Sequence, residues 1–355
     1  MNFDRHIRDA LCNIIGVGFG DLPWKQAQLP VSMGGMSLRG ASDHALAAFI
    51  SSVSHAETHF DTDMKSIDIT RHVTQLGVKL GLELTRGVLV NLSQKEISLL
   101  IDKKNLEELN NATEEIRDKA RLNSLSIQHS GDWLNCVPSH ALGLHLKDQE
   151  FVLMCRYRLG VPVHDSDGVC PACNLGSDAF GDHAISCGSD GERIARHNHL
   201  RDAIFAFAVS TSLAPQKEER ALIPGRGNKP ADVLIPHWSN GLDAALDVTV
   251  VNSLRSDYIL KEADQAGYAL DQAHKRKVAQ VGTACQQEGI DFIPLPVEVL
   301  GGWSSVAVKH LKRIARAHAS RTGRHDSEVV TQFFQKLSIL LVKGNAALLL
   351  SRLPS

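Results

Sequence analysis

The amino-acid sequence predicts an α+β protein with a mostly helical N-terminal half, a small cysteine-rich module and a C-terminal α/β domain with a mixed sheet flanked by helices. Helix-periodic segments dominate the chain up to Gly160. Residues 164–190 are rich in Gly, Asp, Cys and Ser, which form no core without a cross-link. Residues 215–300 alternate turn clusters with β-rich runs and one long helical pattern, the order of an α/β unit.

The overall composition is that of a globular protein. A length of 355 residues predicts two or three domains, and aromatic residues are only 5% of the chain, so the cores must consist mainly of Leu, Val, Ile and Ala. A net charge of -2 argues against a nucleic-acid packaging protein, which would be basic. It is compatible with a nucleic-acid enzyme, since such an enzyme needs only one basic surface beside an acidic metal site.

The cysteine count and the apolar runs predict an intracellular protein that has no membrane partner. The seven cysteines are an odd number, and the charged N-terminus carries no apolar stretch typical of a signal peptide. No run of about 18 apolar residues is present, so no membrane span is expected. No motif predicts a small-molecule cofactor.

The N-terminal half is expected to consist of helices. Small and apolar residues in 41–53 predict a packed helix. Residues 95–125 are polar with helical periodicity and predict an exposed helix pair or connector, in which Leu99, Leu100, Leu106 and Leu109 supply the apolar face. The pattern of Glu150–Leu159 predicts a helix that ends at Gly160.

The C-terminal half is expected to combine three strands with helices. A short strand is predicted at 232–236, a stronger one at 244–251 and a third at 290–295, with one long helix over 258–280 between the last two. Further helices are predicted at 191–210, 304–318 and 327–351, the last serving as core packing.

Three cysteines and a histidine have the spacing of a metal site. Cys170 and Cys173 are separated by two residues, and His183 and Cys187 follow at a distance that can close a tetrahedron. Three sulfurs and one nitrogen suit Zn²⁺, and four protein ligands leave no open position, so the zinc is expected to be structural. The alternatives are free thiols in a loop, or His197 or His199 as a substitute ligand.

Two aspartates and a pair of lysines form a second candidate site. Asp232 begins the first strand, and Asp247 interrupts the otherwise apolar run of the second, where a carboxylate is costly unless it has a partner. Two carboxylates on adjacent strands can hold a catalytic Mg²⁺. Lys275 or Lys277 would position the attacking water, and Glu219 or Glu218 could add a carboxylate.

Each of these residues also has an ordinary structural interpretation. Asp232 can be a turn or capping residue, and Asp247 can pair with Lys229 or Arg255. Lys275 and Lys277 can form the solvated face of a helix, and the glutamates can be surface charges. The sequence alone leaves both interpretations open.

A basic helix follows the third strand. Four cationic residues fall at i, i+3, i+4 and i+7 on one helical face, and such a strip can bind phosphates without reading sequence. An ordinary solvated helix is the alternative. The four residues are Lys309, Lys312, Arg313 and Arg316.

The motifs occur in an order that resembles the C-terminal part of non-LTR retrotransposon proteins that carry a restriction-like endonuclease. The segment Cys170–Cys187 is similar to that family's CCHC zinc knuckle, and Pro230–Trp238 with Ala245–Val250 is similar to its nuclease core of the PD-(D/E)XK type. The segment Phe292–Trp303 resembles the strand and turn behind that core, and Trp24–Arg39 resembles the region after the reverse-transcriptase palm.

The resemblance implies five regions and a nuclear role. These are a helical thumb or connector region (1–125), a helical linker (126–165), the zinc knuckle (166–200), the endonuclease domain (201–325) and a C-terminal helix (326–355). A protein of this kind is expected to nick target DNA for insertion, with structural Zn²⁺ and catalytic Mg²⁺, and to bind the element's RNA. Asp232 and Asp247 would hold Mg²⁺, and Lys275, Lys277 and Glu219 would assist catalysis.

Two departures from the family pattern limit this expectation. The family's nuclease lysine belongs to a pair separated by two residues, whereas the matching positions here are His274 and Lys277. The chain also contains no Asp-Asp dipeptide, which a polymerase palm requires, so no DNA synthesis is expected. The alternative to an active nuclease is a catalytically inactive nucleic-acid-binding remnant or fragment.

Overall fold

The computed structural model describes residues 2–59, 68–89, 92–189, 191–218, 222–223 and 231–353. The chain divides into two compact units, Met1–Glu114 and Glu115–Ser355. Both candidate sites lie in the second unit.

The first unit is built from helices throughout its described part. Its core is formed by aliphatic side chains that include Ile50, Leu76, Ile97 and Ile101, all with no solvent exposure. The helices are α1 (Asn2–Ile15), α2 (Asp21–Gln28), α3 (Ala41–His59), α4 (Thr70–Leu80), α5 (Arg86–Leu89) and α6 (Gln94–Ala112).

Helix α6 corrects the apolar face predicted for residues 95–125. Ile97 and Ile101, one helical turn apart, are buried together with Leu109, whereas Leu99 is 40% exposed. Leu109 and the partly buried Leu100 therefore face the core as predicted, and the two isoleucines, at i, i+4 spacing, add to that face. The helix begins at a capping box, in which Ser93 and Glu96 satisfy each other's backbone N–H groups.

The second unit combines nine helices with two sheets in its described part. The helices are α7 (Ile116–Leu125), α8 (Asp148–Leu159), α9 (Asp182–Ser186), α10 (Glu192–Val209), α11 (Ile259–Asp264), α12 (Tyr268–Lys277), α13 (Thr283–Gln287), α14 (Ser305–Thr322) and α15 (Asp326–Ser351). The strands are β1 (Gly168–Val169), β2 (Gly176–Ser177), β3 (Gln216–Lys217), β4 (Val233–Ser239), β5 (Leu242–Val251) and β6 (Ile290–Glu298).

The larger sheet is mixed and has the strand order β3-β4-β5-β6. Strands β3 and β4 are antiparallel, as are β4 and β5, whereas β5 and β6 are parallel. The parallel pair is joined by α11, α12 and α13, as a crossover connection requires. This confirms the α+β class, the mixed sheet and the positions of the three predicted strands.

The two faces of the sheet carry different helices. Leu246 and Val248 of β5 point into a core that contains α10, α14 and the aromatic pair Phe333 and Phe334 of α15. Ala245, one residue out of phase, packs instead in a cluster with Cys285 of α13. Since side chains alternate along a strand, Asp247 belongs to the face that carries α12 and α13.

The single helix predicted over 258–280 is wrong. The chain leaves the helical conformation after α11, and Gly267 takes a left-handed conformation (φ 82°) in front of α12. After α12 a wide π-helical turn runs through Val278–Gly282 before α13. The sequence pattern kept its helical period across both irregularities, which is why it indicated one helix.

Helix α15 is long and apolar. Among the described residues it is the one helix with the length and composition to cross a membrane, and 67% of its most apolar stretch is buried inside the protein. Phe333, Phe334 and Leu337 are part of the core of the second unit. Such burial is typical of a core helix.

Candidate metal centre and carboxylate cluster

Cys170, Cys173, His183 and Cys187 converge and are referred to below as the Cys/His cluster. Their ligand atoms all lie within 4.8 Å of one another. The sulfurs of Cys170 and Cys187 are 3.9 Å apart, and the Cys173 sulfur lies 3.2 Å from His183 Nε2. The cluster can therefore hold a metal ion such as zinc. His197 and His199, the substitute ligands left open by the sequence, are not among the four, and His197 contacts Asp232 instead.

Local turns bring the four ligands together. Strands β1 and β2 form a hairpin, closed by hydrogen bonds between Cys170 and both Asn174 and Leu175. Asn174 takes a left-handed conformation (φ 58°), which lets the hairpin turn around the first two cysteines. Asp178 accepts hydrogen bonds from the backbone N–H groups of Asp182 and His183 at the start of α9, which orients His183.

The surroundings of Cys187 favour the thiolate that a metal needs. Burial opposes ionisation, but the Ser189 backbone N–H and the Arg352 guanidinium outweigh it, and the pKa of Cys187 is lowered to about 6. Arg352 is itself fully buried and pairs with Glu192 of α10 at 2.9 Å. Soft donors, one of them ionised near neutral pH, fit a zinc ion.

Helix α9 is tied to the rest of the second unit on two sides. Asp182 forms a bidentate ion pair with Arg117 of α7, at 2.5 and 3.0 Å. On the other side, Asn252 donates through its side-chain amide to Ser186 Oγ at 2.7 Å. Asn252 directly follows β5, so the Cys/His cluster is linked to the strand that carries Asp247.

A second group consists of His197, Asp232, Asp247 and Lys277 and is referred to below as the carboxylate cluster. Asp232 directly precedes β4 and is 9% exposed. Its Oδ2 accepts hydrogen bonds from the Val248 backbone N–H at 2.7 Å and from His197 at 3.0 Å. Within the described residues its Oδ1 accepts none. The Asp232 carboxylate therefore lies beside the residue that follows Asp247.

Asp247 pairs with the lysine predicted from the sequence. Lys277 Nζ lies 2.9 and 3.1 Å from its two carboxylate oxygens, and Thr249 also donates to it. Burial raises the pKa of the Asp247 carboxyl; Lys277 works against this shift, and the negative charge of Asp232 adds to it. The two aspartates are therefore close enough to interact electrostatically.

His197 is the member of the carboxylate cluster that sequence reasoning placed differently. Its Nε2 lies 3.0 Å from Asp232 Oδ2 and 3.1 Å from the Val248 carbonyl oxygen. A carbonyl only accepts, so Nε2 carries a proton and donates. Burial alone would lower the pKa of His197. The hydrogen bond to Asp232 and the charge of Asp232 outweigh the effect of burial, so the pKa of His197 is raised. Nothing in the sequence indicated this pairing across 35 positions.

The other predicted catalytic residues lie apart or outside the described residues. Lys275 is exposed on α12, whereas Lys277 reaches Asp247. Glu219 and Lys229 fall outside the residues that the structure describes. Arg255, an alternative partner for Asp247, pairs with Asp257 instead. Glu218 is ion-paired with Arg201.

The basic residues of α14 do not form a uniform free strip. Lys309 is exposed, but the Arg313 guanidinium stacks on the Trp238 ring at 3.9 Å and also donates to the Trp238 carbonyl. Arg316 lies 3.9 Å from Asp326. Lys312 is half-buried. Two of the four cations are thus partly engaged within the protein.

The amino-acid sequence was compared with protein-family models and with curated protein sequences. No protein-family model matches the chain, and no curated protein sequence is significantly similar to it.

Proposed function

We propose that the second unit is a metal-dependent endonuclease in which Asp232 and Asp247 hold Mg²⁺ and Lys277 assists the attacking water. The observation that carries the proposal is the convergence of Asp232, Asp247 and Lys277 where the start of β4 pairs with β5, from three separate elements. Carboxylate oxygens are the ligands that Mg²⁺ prefers, and it usually keeps several waters. Asp232 Oδ1 and the Asp247 carboxylate would supply the protein ligands.

The charge balance of the carboxylate cluster supports a cation site. Two neighbouring carboxylates, both largely buried, face one lysine and one histidine. The raised pKa of Asp247 shows that the existing partners do not fully compensate its burial. A divalent ion held by both carboxylates would further offset their burial, and when bound it would polarise the phosphodiester and activate water.

The side chains of this chain have separate tasks in the proposed reaction. Lys277 would turn from Asp247 towards the attacking water and stabilise the negative charge that develops on the phosphate. His197 Nε2–H holds Asp232 Oδ2 and so leaves Oδ1 available, which would let it serve as a ligand of the ion. Lys275 is assigned no task in this proposal, because its side chain is exposed and no described contact joins it to Asp247.

We further propose that the Cys/His cluster is a structural zinc knuckle and that the chain derives from the C-terminal part of a non-LTR retrotransposon protein. The order of the sites along the chain supports this, together with the α+β fold and the β4–β5–β6 core. DNA would be the substrate, the element's RNA a second partner, and the nucleus the place of action. Two ligand pairs with no open position favour a structural role for zinc.

A nicking assay on supercoiled DNA with Mg²⁺ tests the nuclease. Wild-type protein is expected to cut, and Asp247→Asn, which removes a metal ligand without a change of size, to lose about 10²-fold or more in rate. Asp264→Asn, the same change at an exposed position that ends α11, is the control and should cut like wild type.

Three outcomes are distinguishable. Cutting by wild type and Asp264→Asn but not by Asp247→Asn supports the site. Equal cutting by all three proteins would show that the site is wrongly assigned. Absence of cutting by folded wild type over a range of Mg²⁺ and Mn²⁺ concentrations would favour the inactive remnant, in which Lys277 and His197 merely neutralise two aspartates.

A further inference from the structure

A basic groove runs beside the carboxylate cluster. An open cavity of about 470 Å³ is bordered by His197 and Lys277 of that cluster and by Arg193, Arg196 and Arg276. The same three arginines border a second, smaller cavity of about 100 Å³, where Arg255 joins them. Among the described residues, no aspartate or glutamate lines either cavity. The three shared arginines and the space between them are called the arginine groove.

Arg196 forms the floor of this groove and is a buried cation without an acidic partner. It is 3% exposed, and its Nε lacks any hydrogen bond. Its Nη1 donates to the side-chain oxygen of Asn345, a neutral group, at 2.7 Å. No described carboxylate forms an ion pair with it. Burial and the nearby Arg193 and Arg352 charges lower the pKa of Arg196 to about 10, which still leaves it charged at neutral pH.

The packing around Arg196 is built to keep it in place. A Cβ at Gly344 of α15 would lie 2.6 Å from Arg196 Cγ, so only glycine lets the arginine lie against the helix. A buried unpaired charge is costly, and the cost is recovered when an anion binds. Arginine matches the geometry of phosphate oxygens especially well.

Arg193 and Arg276 form the two rims of the groove. Arg193 is exposed on α10 and donates only to the Ser186 carbonyl oxygen among the described residues. Arg276 is exposed on α12, directly before Lys277. Both side chains can therefore reach a ligand that lies over Arg196, beside the Asp247–Lys277 pair.

We propose that the arginine groove binds phosphates of a DNA strand, namely those that lie next to the phosphate at which the strand is cleaved. This assignment rests on the proposed nuclease function, since it takes the carboxylate cluster as the point of cleavage. It moves the main phosphate contacts away from α14, where Arg313 and Arg316 already have partners within the protein. Contacts of this kind hold the strand in register without reading its sequence.

The test measures DNA binding by the purified protein in buffer without added Mg²⁺ and without chelator, so that no cleavage is required and the Cys/His cluster keeps any metal that it holds. The double variant Arg193→Ala/Arg276→Ala removes two exposed cations from the groove. It is expected to weaken binding of a short duplex and to reduce the slope of log affinity against log salt by about 2. Lys309→Ala/Arg316→Ala removes the same charge from α14 and is expected to change the slope by less than about 0.5.

A second measurement separates a DNA strand from a free anion. Inorganic phosphate should raise the Tm of wild type, and the groove double variant should lose this rise. Arg196→Lys keeps the charge, and this variant should retain most of the DNA affinity, provided that its circular dichroism spectrum matches that of wild type.

Each contrary outcome has a definite meaning. A slope that falls only in the α14 variant would overturn the groove. If inorganic phosphate raises the Tm but the protein does not bind DNA, the groove is a site for free anions, and the proposal that it binds a DNA strand is wrong. If wild type binds DNA through the groove but never nicks it, the proposed nuclease function is wrong and the proposed binding groove stands.

Discussion

The Cys/His cluster and the carboxylate cluster lie in the same unit, but they are assembled in opposite ways. The four ligands of the first come from one segment, Cys170–Cys187, and face each other directly. The members of the second come from α10, the start of β4, β5 and the end of α12, and each aspartate already has a protein partner. The first cluster is thus prepared for a metal by local turns, whereas the second depends on the tertiary fold.

This difference predicts different consequences for stability. A metal bound by a locally folded segment contributes folding free energy directly. A cation held by Asp232 and Asp247 would instead replace the interaction that Lys277 provides in its absence, while His197 stays bonded to Asp232. The following three predictions test this contrast.

Loss of the Cys/His ligands should have the largest effect. Cys170→Ser replaces a buried ligand, and we expect zinc content to fall to near zero and the free energy of unfolding of the second unit to drop by about 4 kcal/mol or more. Elemental analysis and denaturant unfolding are the measurements. Cys136→Ser, outside the cluster, is the control and should keep its zinc. Equal zinc in both variants would contradict the metal assignment.

Removal of the lysine should have an intermediate effect. Lys277→Met leaves the Asp247 carboxylate, which is 13% exposed, without its cation. It should lower the free energy of unfolding by about 2 kcal/mol, since the pair is only partly buried. Added Mg²⁺ should then raise the Tm of the variant more than that of wild type, because the ion replaces the missing charge. Differential scanning fluorimetry measures both effects.

The neighbouring Lys275→Met is the matched control for that experiment. Its side chain is exposed on the same helix, so this substitution should change the free energy of unfolding by no more than about 0.5 kcal/mol. If Mg²⁺ stabilises neither wild type nor Lys277→Met, the two aspartates do not hold the ion.

The histidine should give the smallest effect, visible as a pH dependence. Asp232 raises the pKa of His197 in the folded protein above its ordinary value of 6.5. Its stabilisation is therefore fully present below that value and is lost as the pH rises through the folded-state pKa. We expect His197→Asn to destabilise the protein more at about pH 5.5 than at about pH 8.5, as urea unfolding would show.

His199→Asn controls for histidine loss on the same helix, because His199 is exposed. A destabilisation by His197→Asn that is equal at both pH values would mean that the Asp232 pair contributes nothing through its charge.

The sequence predicted local features better than tertiary ones, and the two clusters illustrate why. The spacing of Cys170, Cys173, His183 and Cys187 constrains a short loop, so their convergence could be inferred directly. The strand positions of Asp232 and Asp247 followed from apolar runs, and one of the two candidate lysines reaches Asp247.

Pairings that join distant segments could not be inferred in this way. The contacts of His197 with Asp232 and of Arg196 with Asn345 depend on how α10 packs on β5 and α15. The interruption at Gly267 also escaped prediction, because a single glycine is tolerated within a helical pattern. The apolar face of α6 was predicted only in part: Leu109 is buried and Leu100 packs against the core, but Ile97 and Ile101 were missed and Leu99 is exposed.

The wide turn at Val278–Gly282, directly after Lys277, has a consequence for comparing chains of this type. A π-helical turn accommodates one residue more than an α-helical turn, so an insertion there shifts the helix phase without unfolding it. Because this turn follows Lys277, such an insertion changes the phase of α13 and leaves the interval from Asp247 to Lys277 unchanged. In chains of this type, that interval is therefore expected to stay constant while the length of the crossover beyond the lysine varies.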